Sequence, residues 1–449
     1  MQFKQFFLGC LAHASYYIGS NGEAAIVDPQ RDVEQYLNEA EANNQTIKYV
    51  IETHLHADFV GGHVELAQKT GATIVFGKQA NAEFKHLAVA DGDQLTVGAV
   101  KLKILETPGH TPEGISIVVE SGNEPRKILT GDTLFIGDVG RPDLVGSKGF
   151  SAAQMAGFLY DSLHRKILTL SDETEVYPAH GAGSLCGKNM SKETWSTIGE
   201  QRKLNYALQP MTKDEFVKMM TENLAPAPAY FPRSVAKNLA GAKNLADLPK
   251  PKKMLADEVK EFSGVVLDVR RVDEYGAAHV PNSLNIGLGG QFASWAGTLI
   301  ATDAPIAVVA DAEEKVEEAV MRLARVGIES VAGFLLMQDW TYQAAKVEQI
   351  SVEEMNNRLS ENDDLQFIDV RRAGEYESGH APRTVNLTLS DLENLSGKLD
   401  ASCPTYLICQ GGYRSSAATS ILERKGFKEI YNITGGTGAW IDEGLKIDK

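Results

Sequence analysis

The sequence predicts a multidomain α/β protein, and three observations carry that reading. Its 449 residues exceed the size of one ordinary domain. Short apolar, β-branched runs alternate with helical stretches along its length. The C-terminal part repeats itself: Leu267-Asp268-Val269-Arg270-Arg271 recurs as Ile368-Asp369-Val370-Arg371-Arg372.

Composition narrows the function classes. Hydrophobic residues make up 43% and charged residues 23%, enough for each domain to bury its own core. The net charge of -16 disfavours nucleic acid and anionic membranes as partners. No stretch approaches the roughly twenty continuous apolar residues of a membrane span. The start, Met1-Gln2-Phe3-Lys4-Gln5-Phe6-Phe7, lacks a signal-peptide core. Cys10, Cys186, Cys403 and Cys409 are too few for a disulfide framework and fit a reducing, cytoplasmic compartment.

Residues 1–225 form the first block. Ala24-Ala25-Ile26-Val27-Asp28 reads as a strand stopped by Pro29, and Val33 to Asn43 as an amphipathic helix. Ile47 to Ile51 is a strand that ends at Thr53-His54-Leu55-His56-Ala57-Asp58-Phe59. Two histidines and an aspartate within five residues of a strand exit are a metal-site signal. A helix follows at His63 to Lys69, then strands at Lys101–Leu105 and Ile115–Val119. Between those strands lies Thr107-Pro108-Gly109-His110-Thr111-Pro112. Ile128-Leu129-Thr130 delivers Gly131-Asp132, a loop holds Arg141, Pro142 and Asp143, and Val176-Tyr177-Pro178-Ala179-His180 closes the series. Histidines and aspartates at four strand exits predict a shared cleft at one edge of a sheet pair.

This block resembles the metallo-β-lactamase superfamily, on His54, His56, Asp58, His110, Asp132 and His180, and the resemblance implies an αββα sandwich. Two-metal members of the glyoxalase II type carry a histidine after the motif aspartate. Here that residue is Phe59, which cannot ligate. Thr-Pro-Gly-His-Thr, Thr-Gly-Asp followed by Gly-Arg-x-Asp, and Tyr-Pro-Ala-His are similar to the persulfide dioxygenases, which are mononuclear iron enzymes. That likeness implies one Fe(II) per chain held by His54, His110 and Asp132, a facial triad with open positions. It places His56, Asp58 and His180 as outer partners that orient the ligands. The nitrogen–oxygen donor set also fits zinc. Arg141 and Asp143 either bind the thiol carrier or bridge to each other, and Tyr177 joins them as a substrate-contacting candidate. Cys186 is either a sulfur-accepting thiol at the cleft mouth or a structural one.

Residues 226–254 read as a proline-punctuated, extended linker; alternatively, Tyr230-Phe231 packs back onto the first block. Residues 255–349 and 350–449 are the two repeat units, each an α/β domain with a parallel sheet. Glu274-Tyr275, His279, Pro281 and Asn285 recur as Glu375-Tyr376, His380, Pro382 and Asn386. Both units resemble rhodanese domains. In copy two, Cys409-Gln410-Gly411-Gly412-Tyr413-Arg414-Ser415 stands between a strand and a helix beginning at Ser416. Such a loop turns backbone N–H groups inward and cradles an anion, and Arg414 adds fixed charge. Cys409 is therefore the candidate nucleophile toward sulfane sulfur, with Gln410, Gly411, Gly412, Tyr413 and Ser415 around the substrate. Cys403 is structural. In copy one, alignment of Pro305 with Pro404 puts Ala310 at the cysteine position and Lys315 at the arginine, behind the acidic run Asp311-Ala312-Glu313-Glu314. Copy one is therefore a catalytically silent spacer or docking domain.

Together the resemblances imply a dioxygenase that takes a low-molecular-weight thiol persulfide and dioxygen to sulfite. A rhodanese step through Cys409 would make or use thiosulfate, in sulfide detoxification. The rival reading is a glyoxalase II-like zinc thioester hydrolase with a sulfur-carrier domain. The superfamily likeness also implies a homo-oligomer.

Overall fold

Alternation along Val100–Glu106 shows how the first unit builds its layers. Val100, Leu102 and Ile104 turn inward while Lys101 and Lys103 face water. Ile115–Glu120 beside it is buried on both faces, as a strand covered by a second layer must be. The computed structural model describes every residue except 145–148, 189, 223, 225 and 302. The expected first boundary, residue 225, thus lies outside the described residues. The chain divides into two units, Met1–Leu248 with Ala324–Gly327, and Pro249–Leu323 with Ile328–Lys449.

In the first unit, one six-stranded sheet runs in chain order from Gln2–Leu8 through His13–Ser20, Glu23–Val27, Thr46–Ile51 and Thr73–Gly77 to Leu87–Val89. Its first two junctions are antiparallel and its last three parallel. The second sheet runs Ser196–Thr197, Glu175–Pro178, Lys127–Gly131, Ile115–Glu120, Val100–Glu106, Gln94–Val97. Residues of both sheets share one core, including Tyr16, Val27, Val75, Leu102, Ile117 and Leu129. Helices Glu34–Ala42 and His63–Thr70 cover the outer face of the first sheet through Tyr36, Ala40 and Leu66. Helices Ala152–Arg165, Ile198–Leu204 and Lys213–Thr221 cover the second through Leu159, Leu163, Ile198 and Phe216. This is the αββα sandwich that the sequence predicts.

Residues 226–254 depart from the extended linker reading. They contain the helix Phe231–Ala240, which belongs to the first unit. Pro232 sits in its first turn, where a missing N–H costs nothing. Phe231, Ser234 and Asn238 are its buried residues, at the spacing of one helical face. The packing-back alternative holds, with Tyr230 and Phe231 both buried. Asn238 Nδ2 donates to the carbonyls of His56 and Phe59 at 2.8 Å each, and Asn238 Oδ1 accepts from Gly61 N–H at 2.9 Å. The supposed linker therefore pins the histidine loop. Asn238→Ala leaves three buried backbone groups without a partner, a loss on the order of 3 kcal/mol. Calorimetry should show the transition of this unit lowered by roughly 10 °C.

The second unit holds two five-stranded parallel sheets of identical order. The first is Lys252–Lys253, Val331–Leu336, Ile306–Ala310, Val265–Asp268, Leu284–Asn285. The second is Glu348–Ile350, Ile430–Ile433, Thr405–Ile408, Gln366–Asp369, Val385–Asn386. The repeated motif is a frame rather than a reactive centre. Arg270 pairs with Asp268 at 2.6 Å and Arg371 with Asp369 at 2.7 Å, both pairs buried. His279 stacks on Tyr275, and His380 on Tyr376, at 3.8 and 3.7 Å.

Candidate metal centre and sulfur-transfer loop

The parallel strand Thr46–Ile51 ends inside the sandwich, so the residues after it leave the sheet buried. Asp28, at φ +52, accepts Thr53 N–H at 2.7 Å and the Thr53 hydroxyl at 2.8 Å. Thr53 Oγ1 in turn lies 3.0 Å from His54 Nδ1, which leaves His54 Nε2 free to face Asp132 Oδ2 at 3.8 Å. His110 follows Gly109, where a side chain would strike the Leu159 backbone at 2.4 Å. His110 Nδ1 sits 2.9 Å from the Arg141 carbonyl, and its Nε2 lies 3.4 Å from Asp132 Oδ2. Asp132 leaves the strand Lys127–Gly131 and accepts His180 Nδ1–H through Oδ1 at 2.8 Å. Its other oxygen, Oδ2, is buried with no hydrogen-bond partner.

An orphaned buried carboxylate oxygen facing two imidazole nitrogens is costly unless a cation stands between them. The donor atoms of His54, His110 and Asp132 all lie within 4.8 Å of one another, beside a cavity of about 10 Å³. The protonation states suit a metal. Burial holds His54 well below its usual range, which favours the neutral ring. Burial pushes the Asp132 carboxyl up, but His180, His54 and His110 hold it well below the usual carboxylate range. Burial opposes charge on His180, yet Asp132 and Asp58 raise it well above its ordinary value. The two carboxylates favour the charged form of His180, whose Nε2 lies 2.8 Å from Asp58. The residues fit a single cation with two nitrogen ligands and one oxygen ligand.

His56 turns elsewhere. Its Nε2 lies 3.2 Å from Asp28 and 3.4 Å from Glu52, and Glu52 reaches on to His63 at 2.9 Å. The Phe59 ring packs between His13 and His56, with centroids 4.1 and 4.4 Å away. His56, Asp58 and His180 also bring donor atoms within 4.8 Å of one another.

The remaining sequence candidates fall into place around this centre. Arg141 and Asp143 bridge each other in a two-pronged pair at 3.0 and 2.7 Å. Tyr177 stands apart from the metal residues. Its hydroxyl donates to Glu175 at 2.9 Å, and its ring packs with Phe3 and Trp195. In Tyr-Pro-Ala-His it serves sheet packing, with its ring among Phe3, Tyr16 and Trp195. Cys186 is buried with donor atoms of Asp132 and His180 nearby, and burial, Asp58 and Asp132 push its thiol well up. Its protonated form is therefore favoured, which is the less nucleophilic one. Thr111 escaped the sequence reading; its hydroxyl is buried without a hydrogen-bond partner and lines the metal cavity. Only its place in Thr-Pro-Gly-His-Thr could have flagged it.

In copy two the strand Thr405–Ile408 hands over to Cys409, and the helix Tyr413–Arg424 begins four residues later. Gly412 N–H donates to Cys409 Sγ at 3.1 Å and the Ser415 hydroxyl at 3.4 Å. Gly412 caps the helix at φ +92, a conformation suited to glycine. The Gly435-Gly436 pair is needed for contact, since a Cβ on Gly436 would meet the Cys409 carbonyl at 2.1 Å. Thr437 N–H binds that carbonyl at 2.7 Å. Arg414 is clasped by both oxygens of Glu375 at 2.7 Å each, a partner that sequence reasoning saw only as a repeat position. In copy one, Val269 N–H bonds Val309 O as Val370 N–H bonds Ile408 O, so Ala310 stands where Cys409 does. Lys315 pairs with Glu318 at 3.0 Å.

Comparison with known proteins agrees with both halves. The model of the metallo-beta-lactamase superfamily matches residues 8–180, and that of the rhodanese-like domain matches residues 351–443. The mitochondrial persulfide dioxygenase ETHE1 of Homo sapiens is 32% identical over 235 residues, covering 50% of this chain and 82% of that protein. Its Mus musculus counterpart is 31% identical over the same coverage. The crystal structure of a metallo-beta-lactamase from Staphylococcus aureus subsp. aureus COL superposes with a TM-score of 0.69 at 30% identity, covering 75% of this chain and 99% of that one. The chain therefore belongs to the persulfide dioxygenase family of the metallo-beta-lactamase superfamily and carries a rhodanese-like domain at its C-terminal end.

Proposed function

We propose that the first unit is a mononuclear non-haem Fe(II) persulfide dioxygenase and that Cys409 couples it to sulfur transfer. The observation that carries this is the buried triad of His54, His110 and Asp132, whose Asp132 Oδ2 has no hydrogen-bond partner, with the apolar ring of Phe59 in place of a further ligand. The overall change is thiol persulfide plus dioxygen plus water to thiol plus sulfite plus two protons. Ferrous iron, when bound, would supply the oxygen chemistry that no side chain here provides.

The chain's own residues set its surroundings. Thr53 and the Arg141 carbonyl fix the two imidazoles through Nδ1 and aim both Nε2 atoms inward. His180 holds Asp132 through Oδ1, so only Oδ2 is left for the ion. The Asp58–His180–Asp132 string balances charge behind the ligand set. In the second unit, sulfane sulfur on Cys409 passes to sulfite: the S–S bond to the cysteine breaks, a bond to sulfite forms, and thiosulfate leaves with the cysteine as thiolate. The reverse direction generates persulfide from thiosulfate. Four free cysteines accord with a reducing compartment, which we take to be the cytoplasm. No helix among the described residues is long and apolar enough to cross a membrane.

The group of His56, Asp58 and His180 favours the rival zinc hydrolase, because it could take a second ion. Metal quantification after anaerobic purification decides between them. One iron per chain with oxygen uptake on a thiol persulfide is the expected result. Two zincs per chain, with thioester hydrolysis and no oxygen uptake, would overturn it.

A further inference from the structure

Copy one lacks the cysteine, the arginine and the glycine-rich loop, yet it touches the reactive loop of copy two. Tyr413 stands between Gly412, whose N–H reaches Cys409 Sγ, and Arg414, which Glu375 holds. Its hydroxyl donates across the repeat to the Gly287 carbonyl at 2.8 Å. Its ring lies over Gly290, where an added Cβ would be 3.6 Å away, and near Gly287, at 3.8 Å. This strip of copy one is held from behind. Leu288 N–H binds Val269 O at 2.9 Å. Arg322 donates to the Leu288 and Gly290 carbonyls and lies over the Phe292 ring. A second tie runs parallel to the first: the Ser416 hydroxyl donates to Asn285 Oδ1 at 2.6 Å, and Asn285 N–H donates to Ser420 Oγ at 3.1 Å.

We propose that copy one is the positioning half of the sulfur-transfer site: its Gly287–Gly290 strip seats Tyr413 and so fixes the helix end that aims Gly412 N–H at Cys409. Gly290 serves the seat through its backbone, because at φ +63 a side chain would be strained, while the ring rests at ordinary contact distance from it. Tyr413 is a positioning residue, acting on Cys409 through the backbone of Gly412. This explains why a copy without its own nucleophile keeps an intact frame: Asn285 holds the carbonyls of Asp268 and Arg270, and the strip follows directly from it. The inference rests on the reading of Cys409 as the sulfur carrier.

The test uses the full chain and three variants, Cys409→Ser, Tyr413→Phe and Tyr413→Ala. Thiosulfate-to-cyanide sulfur transfer gives kcat and KM, and the pH profile of Cys409 alkylation by iodoacetamide reports how the loop serves the sulfur. Tyr413→Ala should lower kcat about 100-fold, the scale of a misplacement near 1 Å, and move the alkylation profile to higher pH. Tyr413→Phe keeps the ring in its seat and loses one hydrogen bond, so kcat should fall about 5-fold with KM little changed. Oxygen uptake by the first unit should stay as in the parent. An alkylation profile and kcat that both stay at parent values in Tyr413→Ala would overturn the proposal while leaving Cys409 as carrier. Sulfur transfer that survives Cys409→Ser would overturn the carrier reading instead. If Tyr413→Ala does not fold, Tyr413→Phe decides alone, and parent kcat in it shows that the hydrogen bond to Gly287 positions nothing at Cys409 and overturns the proposal.

Discussion

His110→Ala should purify with almost no iron and consume no oxygen with a thiol persulfide, while sulfur transfer through Cys409 continues at the parent rate. The imidazole it removes faces Asp132 Oδ2 at 3.4 Å and is fixed from behind by the Arg141 carbonyl. Two donors then remain, His54 and Asp132, and a hard-to-retain divalent ion is not held by two. Loss of an outer partner of a metal ligand typically costs about 10–100-fold, and loss of the ligand itself must exceed that. Metal analysis and an oxygen electrode read the two effects separately. Parent-level oxygen uptake in His110→Ala would remove the triad from the mechanism.

Cys409→Ser should produce the complementary loss. Its iron content and oxygen uptake stay at parent values, and sulfite accumulates where the parent yields thiosulfate. A serine hydroxyl cannot carry sulfane sulfur, so transfer falls to the uncatalysed level. The Gly412 and Ser415 donors now aim at sulfur would face a smaller oxygen, and the fold is preserved because the site is already buried and isosteric within one atom. Mixing His110→Ala with Cys409→Ser should restore thiosulfate formation from persulfide if sulfite diffuses between chains. Thiosulfate production by Cys409→Ser alone would place the acceptor cysteine elsewhere, with Cys186 the first residue to replace.

The chemistry of this chain was written locally. His54, His56 and Asp58 lie within one strand exit, His110 and Asp132 follow two others, and the Cys409 loop is one contiguous turn into a helix. Local runs like these carry their own context, so strand, turn and helix could be read with the reactive residue in place. The missing cysteine of copy one was equally plain, because alanine at 310 is read without the fold. What tertiary structure decided was partnership across distance. Asn238 reaches back to His56, Phe59 and Gly61, which turns an apparent linker into part of the metal loop's support. Glu375 neutralises Arg414, and Gly287 in the silent copy seats Tyr413. Tyr177 shares a motif with His180 yet gives its hydroxyl to Glu175 and its ring to Phe3. Residue type and spacing specify what a group can do, through its donors, charge and backbone freedom. Which group it does it with depends on packing that joins segments far apart in the chain, and no local pattern encodes that.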